Sequence, residues 1–427
     1  MERHDFPMVG ECCYYQHLEN GLDAFVVSKP GYTKKMAMLA VNYGGMNPEF
    51  TLSGEHICAP EGIAHYLEHK MFDMRHGSAL TQLSANGAAV NAYTSKDITA
   101  YHFSCTSLFE ENLRILLRFV SVPWFTPESV EKERGIIAQE IRMYRDNPNH
   151  RVYENLLSGL YQHHPIRRSI LGTEQSIGEI TPELLYRCHN SFYRPQNMVL
   201  IVVGDVDPRR VWETAEISLR DDGYPAGVKL WGEEEPMEAG QQRISEEMEL
   251  SEPTFLLGSK MPPLPEGKKG LRDSLLYSVA AEILCGSSGP LYNRLYQQGL
   301  IHKDFSAAAL DYPGAACLVL GGDSPQPETV AQAVFEETER IAREGIDEDR
   351  FQRTLRSEYG SMVRSLNSVD AICAQFARSW FAGCHFYDFG ELYPTLTADE
   401  VSRLLGECVR QERSCLSVIS PKGGSKA

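Results

Sequence analysis

The sequence predicts an α+β protein of two tandem homologous domains, each an antiparallel-rich β-sheet with helices packed on one face. Three observations support this prediction. The 427 residues, 42% of them hydrophobic, suffice for two cores of ordinary domain size. A strand-like run at residues 199–203 closes the first half of the chain, and a similar run at residues 416–420 closes the second. Between the halves lies a stretch rich in Gly, Pro and Glu, which is typical of an exposed linker.

The expected boundaries are a first domain at residues 1–225, a linker at residues 226–250 and a second domain at residues 251–427. The second domain opens with a strand-like run at residues 254–258 and a long helix at residues 271–284. A helix that begins at residue 346 echoes the one that begins after Thr126. Such internal similarity indicates a duplication.

Residues 65–69, His-Tyr-Leu-Glu-His, are the most informative segment of the chain. On a helix, His65 and His69 lie one turn apart and point the same way, as two imidazole ligands of one divalent metal must. Zn²⁺ bound by two imidazoles and one carboxylate keeps a position for water and lowers the pKa of that water to about 7. Glu68 would accept the water's proton and pass it to the leaving amine. The H-x-x-E-H pattern is the inverted form of the H-E-x-x-H zinc helix and predicts a metal hydrolase.

A third ligand is expected on another helix. Thr126 and Pro127 form a helix start signal, with Thr126 as the N-cap and Pro127 at the first helical position. Glu133 and Glu140 are seven residues apart in this helix and therefore share a face, which suits one metal ligand and one supporting acid. The alternative is a solvated acidic face paired with the neighbouring arginines.

These residues resemble the pitrilysin or insulinase family of zinc peptidases, which includes the mitochondrial processing peptidases. The H-x-x-E-H motif followed by Glu140 is similar to the zinc signature of that family's catalytic subunits. Further segments resemble the family's edge strand beside the zinc and the end of its first domain, namely Asn91-Ala92-Tyr93-Thr94-Ser95, Tyr101-His102-Phe103, His164-Pro165, Gly172-Thr173 and the run from Tyr193 to Asp207. The similarity spans roughly residues 20–210, and the second half matches only in general pattern.

The resemblance gives each acid and imidazole of the motif a role. It implies that His65, His69 and Glu140 are zinc ligands, that Glu68 is the general base, and that Glu133 is an acid in contact with the ligands. Each assignment agrees with the spacing of these residues. The same ligand set also accepts Mn²⁺ or Co²⁺.

The resemblance further implies peptide substrates that are captured in extended form. Asn91, Ala92 and Tyr93 would bind the peptide as an additional strand. Pairing at a strand edge supplies backbone hydrogen bonds regardless of sequence, while pockets select alternate side chains. The alternative is an ordinary edge strand.

The second half departs from the family pattern. It has no H-x-x-E-H motif, so its role would be to form part of the wall of a closed substrate chamber and to bind a partner. Active members commonly carry an Arg and, seven residues on, the Tyr of a Gly-Leu-x-Tyr segment. In this chain Leu295 stands at the Arg position and His302 at the Tyr position. We therefore expect a heterodimer with a homologous inactive subunit that supplies Arg and Tyr. A homodimer, or His302 in place of Tyr, remains an alternative.

Composition excludes several classes of partner. The net charge of -17 argues against nucleic acid, because phosphate binding needs basic clusters. No apolar run reaches the roughly 18 residues that span a bilayer, so we expect no membrane insertion. The N-terminus lacks the apolar core of a signal peptide. The 11 cysteines are scattered without C-x-x-C spacing, and a cytoplasmic location is expected.

The sequence thus predicts a zinc-dependent endopeptidase that hydrolyses short or unfolded peptides inside a closed chamber. One alternative is a non-catalytic scaffold or peptide-holding subunit, and another is a zinc hydrolase with a substrate other than peptides. The complete set of His65, Glu68, His69 and Glu140 favours the peptidase, because drift after loss of catalysis tends to remove one of these residues.

Overall fold

The computed structural model describes residues 1–219 and 223–423. The chain forms two compact units. The first comprises Met1–Ile141, Ser169–Trp231 and Val363–Asp388, and the second comprises Arg142–Arg168, Gly232–Met362 and the segment from Phe389 onwards. Each half of the chain therefore contributes one segment to the unit of the other half. The expected continuous domains at residues 1–225 and 251–427 do not include this exchange.

A seven-stranded sheet forms the centre of the first unit. The strands of this unit are β1 (Glu2–Phe6), β2 (Glu11–His17), β3 (Asp23–Ser28), β4 (Lys35–Val41), β5 (Glu49–Leu52), β6 (Glu55–Cys58), β7 (Asp73–Met74), β8 (Gly77–Ser78), β9 (Ala89–Thr94), β10 (Thr99–Cys105), β11 (Met198–Gly204) and β12 (Val228–Lys229). The large sheet has the order β1-β2-β3-β11-β4-β10-β9. β3 and β11 pair in parallel, and the other neighbours pair antiparallel.

Helices cover this sheet on both faces. The helices of the first unit are α1 (Ile63–Met71), α2 (Ala79–Ala85), α3 (Phe109–Ser121), most of α4 (Pro127–Arg145), α6 (Glu174–Gly178), α7 (Pro182–Phe192), α8 (Pro208–Ser218) and α13 (Val369–Phe381). Phe119 of α3 packs on Tyr101, and Phe376 of α13 packs on Phe25 on the opposite face. The expectation placed helices on one face only. Helix α13, which comes from the second half of the chain, covers the other face. All seven residues of β11 are buried, and a strand in this position needs apolar contacts on both faces.

Two glycines fix the start of α1. Gly62, its N-cap, has a φ of 92°, and a Cβ at this position would lie 2.5 Å from the carbonyl oxygen of Leu171. Gly172 has a φ of 71°, and its Cβ would lie 2.3 Å from the carbonyl oxygen of Glu61. Only glycine permits such close approach in this conformation. Ser176 also donates a hydrogen bond to the Glu61 carbonyl, at 2.9 Å. The loop before α1 therefore packs closely against the loop before α6 and is hydrogen-bonded to Ser176 of that helix.

The second unit repeats the core of the first. Its strands are β13 (Arg243–Met248), β14 (Thr254–Met261), β15 (Ser306–Tyr312), β16 (Ala315–Asp323) and β17 (Ser414–Pro421). They have the order β13-β17-β14-β16-β15, with β13 and β17 parallel and the others antiparallel. This order and these directions match β3-β11-β4-β10-β9 of the first unit. The predicted duplication is therefore evident in the topology.

Helices also cover both faces of the second sheet. They are α5 (Pro148–Leu160), α9 (Lys268–Cys285), α10 (Pro290–Gln297), α11 (Pro327–Glu344), most of α12 (Glu348–Ser365), α14 (Phe389–Leu392) and α15 (Ala398–Cys408). Short 3-10 helices occur in both units. Those of the second unit are Pro165–Arg167, Tyr393–Thr395 and Gln411–Arg413, and those of the first are Pro195–Asn197 and Phe386–Asp388. α5 comes from the first half of the chain, and its Leu156 lies 2.9 Å from where a Cβ on Gly258 would stand. The exchange of α5 and α13 is thus reciprocal.

The predicted linker at residues 226–250 contributes one strand to a small three-stranded sheet of the first unit, β12-β5-β6, and one strand to the sheet of the second unit. It contains β12, which pairs with β5, and β13, the edge strand of the second sheet. Glu235 accepts hydrogen bonds of 2.7 Å from the backbone amides of His163 and His164 and pairs with the buried Lys260. The solvent exposure suggested by the acidic composition holds for Glu233, whose side chain is 84% exposed, but not for Glu235, whose side chain is 11% exposed. No helix in the described part of the chain is long and apolar enough to cross a membrane.

Candidate metal centre

Helices α1 and α4 bring the three predicted ligands together in the first unit. The Nε2 atoms of His65 and His69 lie 3.7 and 3.5 Å from Oε2 of Glu140. One ligand atom from each residue lies within 4.8 Å of the other two. Ligands placed tetrahedrally around Zn²⁺ at its usual bond lengths are about 3.3 Å apart. The three side chains therefore fit a single divalent ion of that size, and no other such group occurs among residues 1–219 and 223–423.

His65 is held in its neutral form. Burial, together with the adjacent His69, lowers the pKa of His65 to about 3. An imidazole must be neutral to bind a metal, so this ring is ready to act as a ligand over the whole physiological range. Its Nδ1 atom is buried and has no hydrogen-bond partner within the described part of the chain, so packing rather than a hydrogen bond orients the ring.

Glu133 orients the second imidazole. Nδ1 of His69 lies 2.8 Å from Oε1 of Glu133, to which it donates, so Nε2 keeps its lone pair on the side of Glu140. Burial lowers the pKa of His69, but the hydrogen bond to Glu133 and the charges of Glu68, Glu133 and Glu140 outweigh it, and the net shift is upward. The same hydrogen bond lowers the pKa of Glu133. Glu133 thus contacts a ligand, as the sequence predicted.

The alternative of a solvated acidic face on α4 does not match the contacts. Arg134 pairs with Glu131 and donates to the carbonyl oxygen of Ile180, at 3.0 Å, rather than to Glu133 or Glu140. α4 begins at Pro127, with Thr126 and Ser129 exchanging capping hydrogen bonds of 3.1 and 3.2 Å. The start signal is therefore confirmed.

Glu68 lies beside the three ligands on α1. It is 9% exposed, and burial raises the pKa of its carboxyl group. Thr94 opposes part of that rise, because its Oγ1 donates a hydrogen bond of 2.6 Å to Oε2 of Glu68. The sequence analysis included Thr94 in the Asn91–Ser95 strand segment but did not predict its hydrogen bond to Glu68. The available signal was the strand period, since Thr94 and Ala92 point to the same face as Tyr101, which is the face that α3 covers.

Asn91, Ala92 and Tyr93 lie on β9, the last strand of the large sheet. β9 pairs with β10 on one side, and no strand among the described residues pairs with its other side. The backbone amide of Ala92 donates to the Oδ1 atom of Asn91, at 2.9 Å. A free strand edge that is covered only by its own side chain can still accept another strand.

The described residues of the second unit repeat neither the candidate ligands nor the Arg and Tyr that the family resemblance led us to look for. Leu295 is fully buried on α10, and His302 lies on the surface with Nε2 2.9 Å from Oε2 of Glu252. Laying α12 on α4 places Thr354 opposite Glu133 and Ser361 opposite Glu140, so neither acid is repeated.

Comparison with known proteins assigns this arrangement to a family. The chain is 34% identical over 423 residues to an uncharacterized zinc protease of Bacillus subtilis, YmfH, covering 98% of this chain and 99% of that protein. The chain belongs to peptidase family M16. The family model described as insulinase (peptidase family M16) matches residues 58–174, which contain all the candidate ligands. The model described as the peptidase M16 inactive domain matches residues 179–358.

Solved structures agree with the family assignment. An M16-like peptidase from Alicyclobacillus acidocaldarius superimposes with a TM-score of 0.90 at 31% identity, covering 96% of this chain and 99% of that one. A protease from Helicobacter pylori superimposes with a TM-score of 0.83 at 18% identity, with the same coverage, and supports the fold alone. The resemblance to the pitrilysin and insulinase family is confirmed, as is the α+β fold.

We expect Zn²⁺ affinity to depend on pH through His69. The upward pKa shift keeps this imidazole protonated to higher pH, and protons compete with the metal, so affinity should fall as pH drops through that pKa. Glu133→Gln removes the main partner that raises the pKa. The midpoint should move to lower pH, and the affinity at high pH should fall about 10- to 100-fold because the ring loses its orienting partner.

A competition titration with a chromophoric chelator at several pH values measures both effects. Glu131→Gln, which alters an exposed acid of the same helix, is the matched control and should titrate like the wild type. A Glu133→Gln protein with unchanged midpoint and affinity would contradict this account of the site.

Proposed function

We propose that the protein is a zinc-dependent endopeptidase that cleaves short or unfolded peptides as the active subunit of a heterodimer. The observation that carries this proposal is the convergence of His65, His69 and Glu140 on one point, with Glu68 beside them. Three ligands that leave a position open are typical of catalytic rather than structural zinc. The relatives named zinc proteases support the same metal and reaction.

His65, His69 and Glu140 would hold the ion, which when bound polarises the scissile carbonyl and lowers the pKa of a water molecule. Glu68 is placed to accept the proton of that water and return it to the leaving amine. A carboxyl group with a raised pKa is a stronger base than an ordinary one and still becomes a usable acid. Thr94 binds one carboxylate oxygen, so the other is left for proton transfer.

The free edge of β9 would bind the peptide in extended form. An added strand would pair with the backbone of Asn91, Ala92 and Tyr93, and would replace the internal contact between the Ala92 amide and the Asn91 side chain. Backbone pairing of this kind requires an unfolded segment and accepts many sequences. This favours short or unfolded peptides as substrates.

A homologous second subunit would complete the site. Burial of Leu295 and the pairing of His302 with Glu252 leave this chain without the Arg and Tyr donors that active members place near the zinc of the opposing half-molecule. Hydrogen-bond donors at the developing oxyanion commonly contribute a large part of catalysis. A partner that carries both donors and lacks the zinc motif would supply them.

The match of residues 179–358 to a model named for an inactive domain supports one rival function. The protein would then hold peptides without cleaving them. The complete set of ligands and base in the first unit favours the enzyme over this rival.

We expect Glu68→Gln to lower kcat by about 10²- to 10⁴-fold, because it removes the general base. Zinc content should be unchanged, since Glu68 is not placed as a ligand. Cleavage of a quenched fluorogenic, unstructured peptide in the presence of the homologous partner measures the effect, and elemental analysis measures the zinc. Glu55→Gln, an exposed acid that pairs with Arg187, is the control. Equal turnover by the wild type and Glu68→Gln would favour the peptide-holding rival.

We expect the purified chain alone to show little peptidase activity, and an equimolar mixture with a homologous subunit that carries Arg and Tyr to restore it. Mass photometry should show a one-to-one complex. His302→Ala should leave the activity of that complex unchanged, because the His302 ring pairs with Glu252 on the surface. Full peptidase activity of the chain alone would refute the heterodimer. Loss of activity in the complex that contains His302→Ala would also refute it.

A further inference from the structure

We infer that Thr94 is a positioning residue that couples binding of a peptide along β9 to the orientation of the general base Glu68. The inference rests on the proposed function, since it concerns that reaction's base and substrate strand. The observation behind it is the hydrogen bond of 2.6 Å from Thr94 Oγ1 to Glu68 Oε2. The backbone amide of Thr94 acts on the same carboxylate.

This contact defines which way the carboxylate faces. Glu68 is buried, and no second side chain among the described residues donates a hydrogen bond to it. The terminal torsion of a glutamate is broad and roughly two-fold, so packing alone does not select one orientation of its two oxygens. The Thr94 hydroxyl occupies Oε2, and Oε1 then has a fixed direction. A base must lie within hydrogen-bond reach of its proton, so this direction affects turnover.

The position of Thr94 in the sheet links the base to the substrate. Thr94 is the last residue of β9 and directly follows Asn91, Ala92 and Tyr93. On its inner side it lies opposite Thr99 of β10. A peptide paired along the outer side would convert β9 from an edge strand into an interior strand, with both edges hydrogen-bonded. The hydroxyl that holds Glu68 would then be fixed from both sides.

This arrangement predicts that peptide pairing affects the chemical step as well as binding. A peptide long enough to pair with all of residues 91–93 should have a higher kcat than a truncated one, in addition to a lower KM. Binding energy from residues remote from the reacting bond is then used to order the base.

The test compares Thr94→Val, which keeps the shape but removes the hydroxyl, with Thr94→Ser, which keeps the hydroxyl. With the partner subunit present and a quenched fluorogenic, unstructured peptide as probe, Thr94→Val should lower kcat about 10- to 100-fold, with KM changed less than about threefold and zinc retained. Thr94→Ser should recover most of the wild-type kcat.

Thr99→Val is the matched control. Thr99 lies directly across the strand pair, and its hydroxyl donates a buried hydrogen bond of 2.9 Å to the carbonyl oxygen of Tyr43 rather than to Glu68. This variant removes the same kind of group from the same sheet. It should lower the melting temperature and leave kcat at the wild-type value.

A crystal structure of Thr94→Val gives a readout that is independent of activity. The Glu68 carboxylate should be rotated or present in more than one orientation. An unchanged carboxylate, a Thr94→Val kcat equal to the wild type, or a Thr94→Ser kcat as low as that of Thr94→Val would each overturn the inference. If the wild type cleaves no peptide, the proposed function fails, and the orientation of Glu68 in this crystal structure still decides whether Thr94 positions it.

Discussion

The structure depends on the approach of Glu140 on α4 to the two imidazoles of α1. Two helices that are distant in sequence must present three ligand atoms within 4.8 Å of one another. Placing a carboxylate next to a buried, neutral imidazole costs desolvation energy that a divalent cation repays. Much of the first unit serves this approach. The glycine contacts at Gly62 and Gly172 fasten the start of α1, and the capping exchange at Thr126 fixes the start of α4.

The proposed base and the proposed substrate strand lie beside the same three side chains. Glu68 shares α1 with the imidazoles, while Thr94 brings the end of β9 to the carboxylate. Glu133 supports the site from the other helix through His69. The candidate ligands, the proposed base and the proposed peptide-binding edge therefore come from three elements of one unit. The second unit keeps the strand order, and its described residues contain no comparable group of metal-binding side chains, as expected of a duplicated domain that has not kept this site.

Local periodicity explains what the sequence could predict. The spacing of His65 and His69, and of Glu133 and Glu140, is a property of single helices, so the faces they share can be read without a tertiary structure. β9 at a sheet edge followed from the family resemblance. The strand period gives the face of the sheet on which Thr94 lies, but the partner of Thr94 could not be predicted, because the distance between this strand and α1 is set by tertiary packing. The exchange of α5 and α13 was missed for the same reason, although the continuous apolar run of β11 indicated burial on both faces. The role of Glu235 in the acidic linker was missed because composition does not distinguish an exposed acid from one whose partners are backbone amides and a buried lysine.

Anomalous diffraction at the zinc absorption edge, from crystals of the purified protein, shows whether His65, His69 and Glu140 bind one ion. We expect one strong peak in the first unit, about 2.0–2.2 Å from Nε2 of His65, Nε2 of His69 and a carboxylate oxygen of Glu140. A peak elsewhere, or the absence of a peak between these three side chains at saturating Zn²⁺, would contradict this expectation.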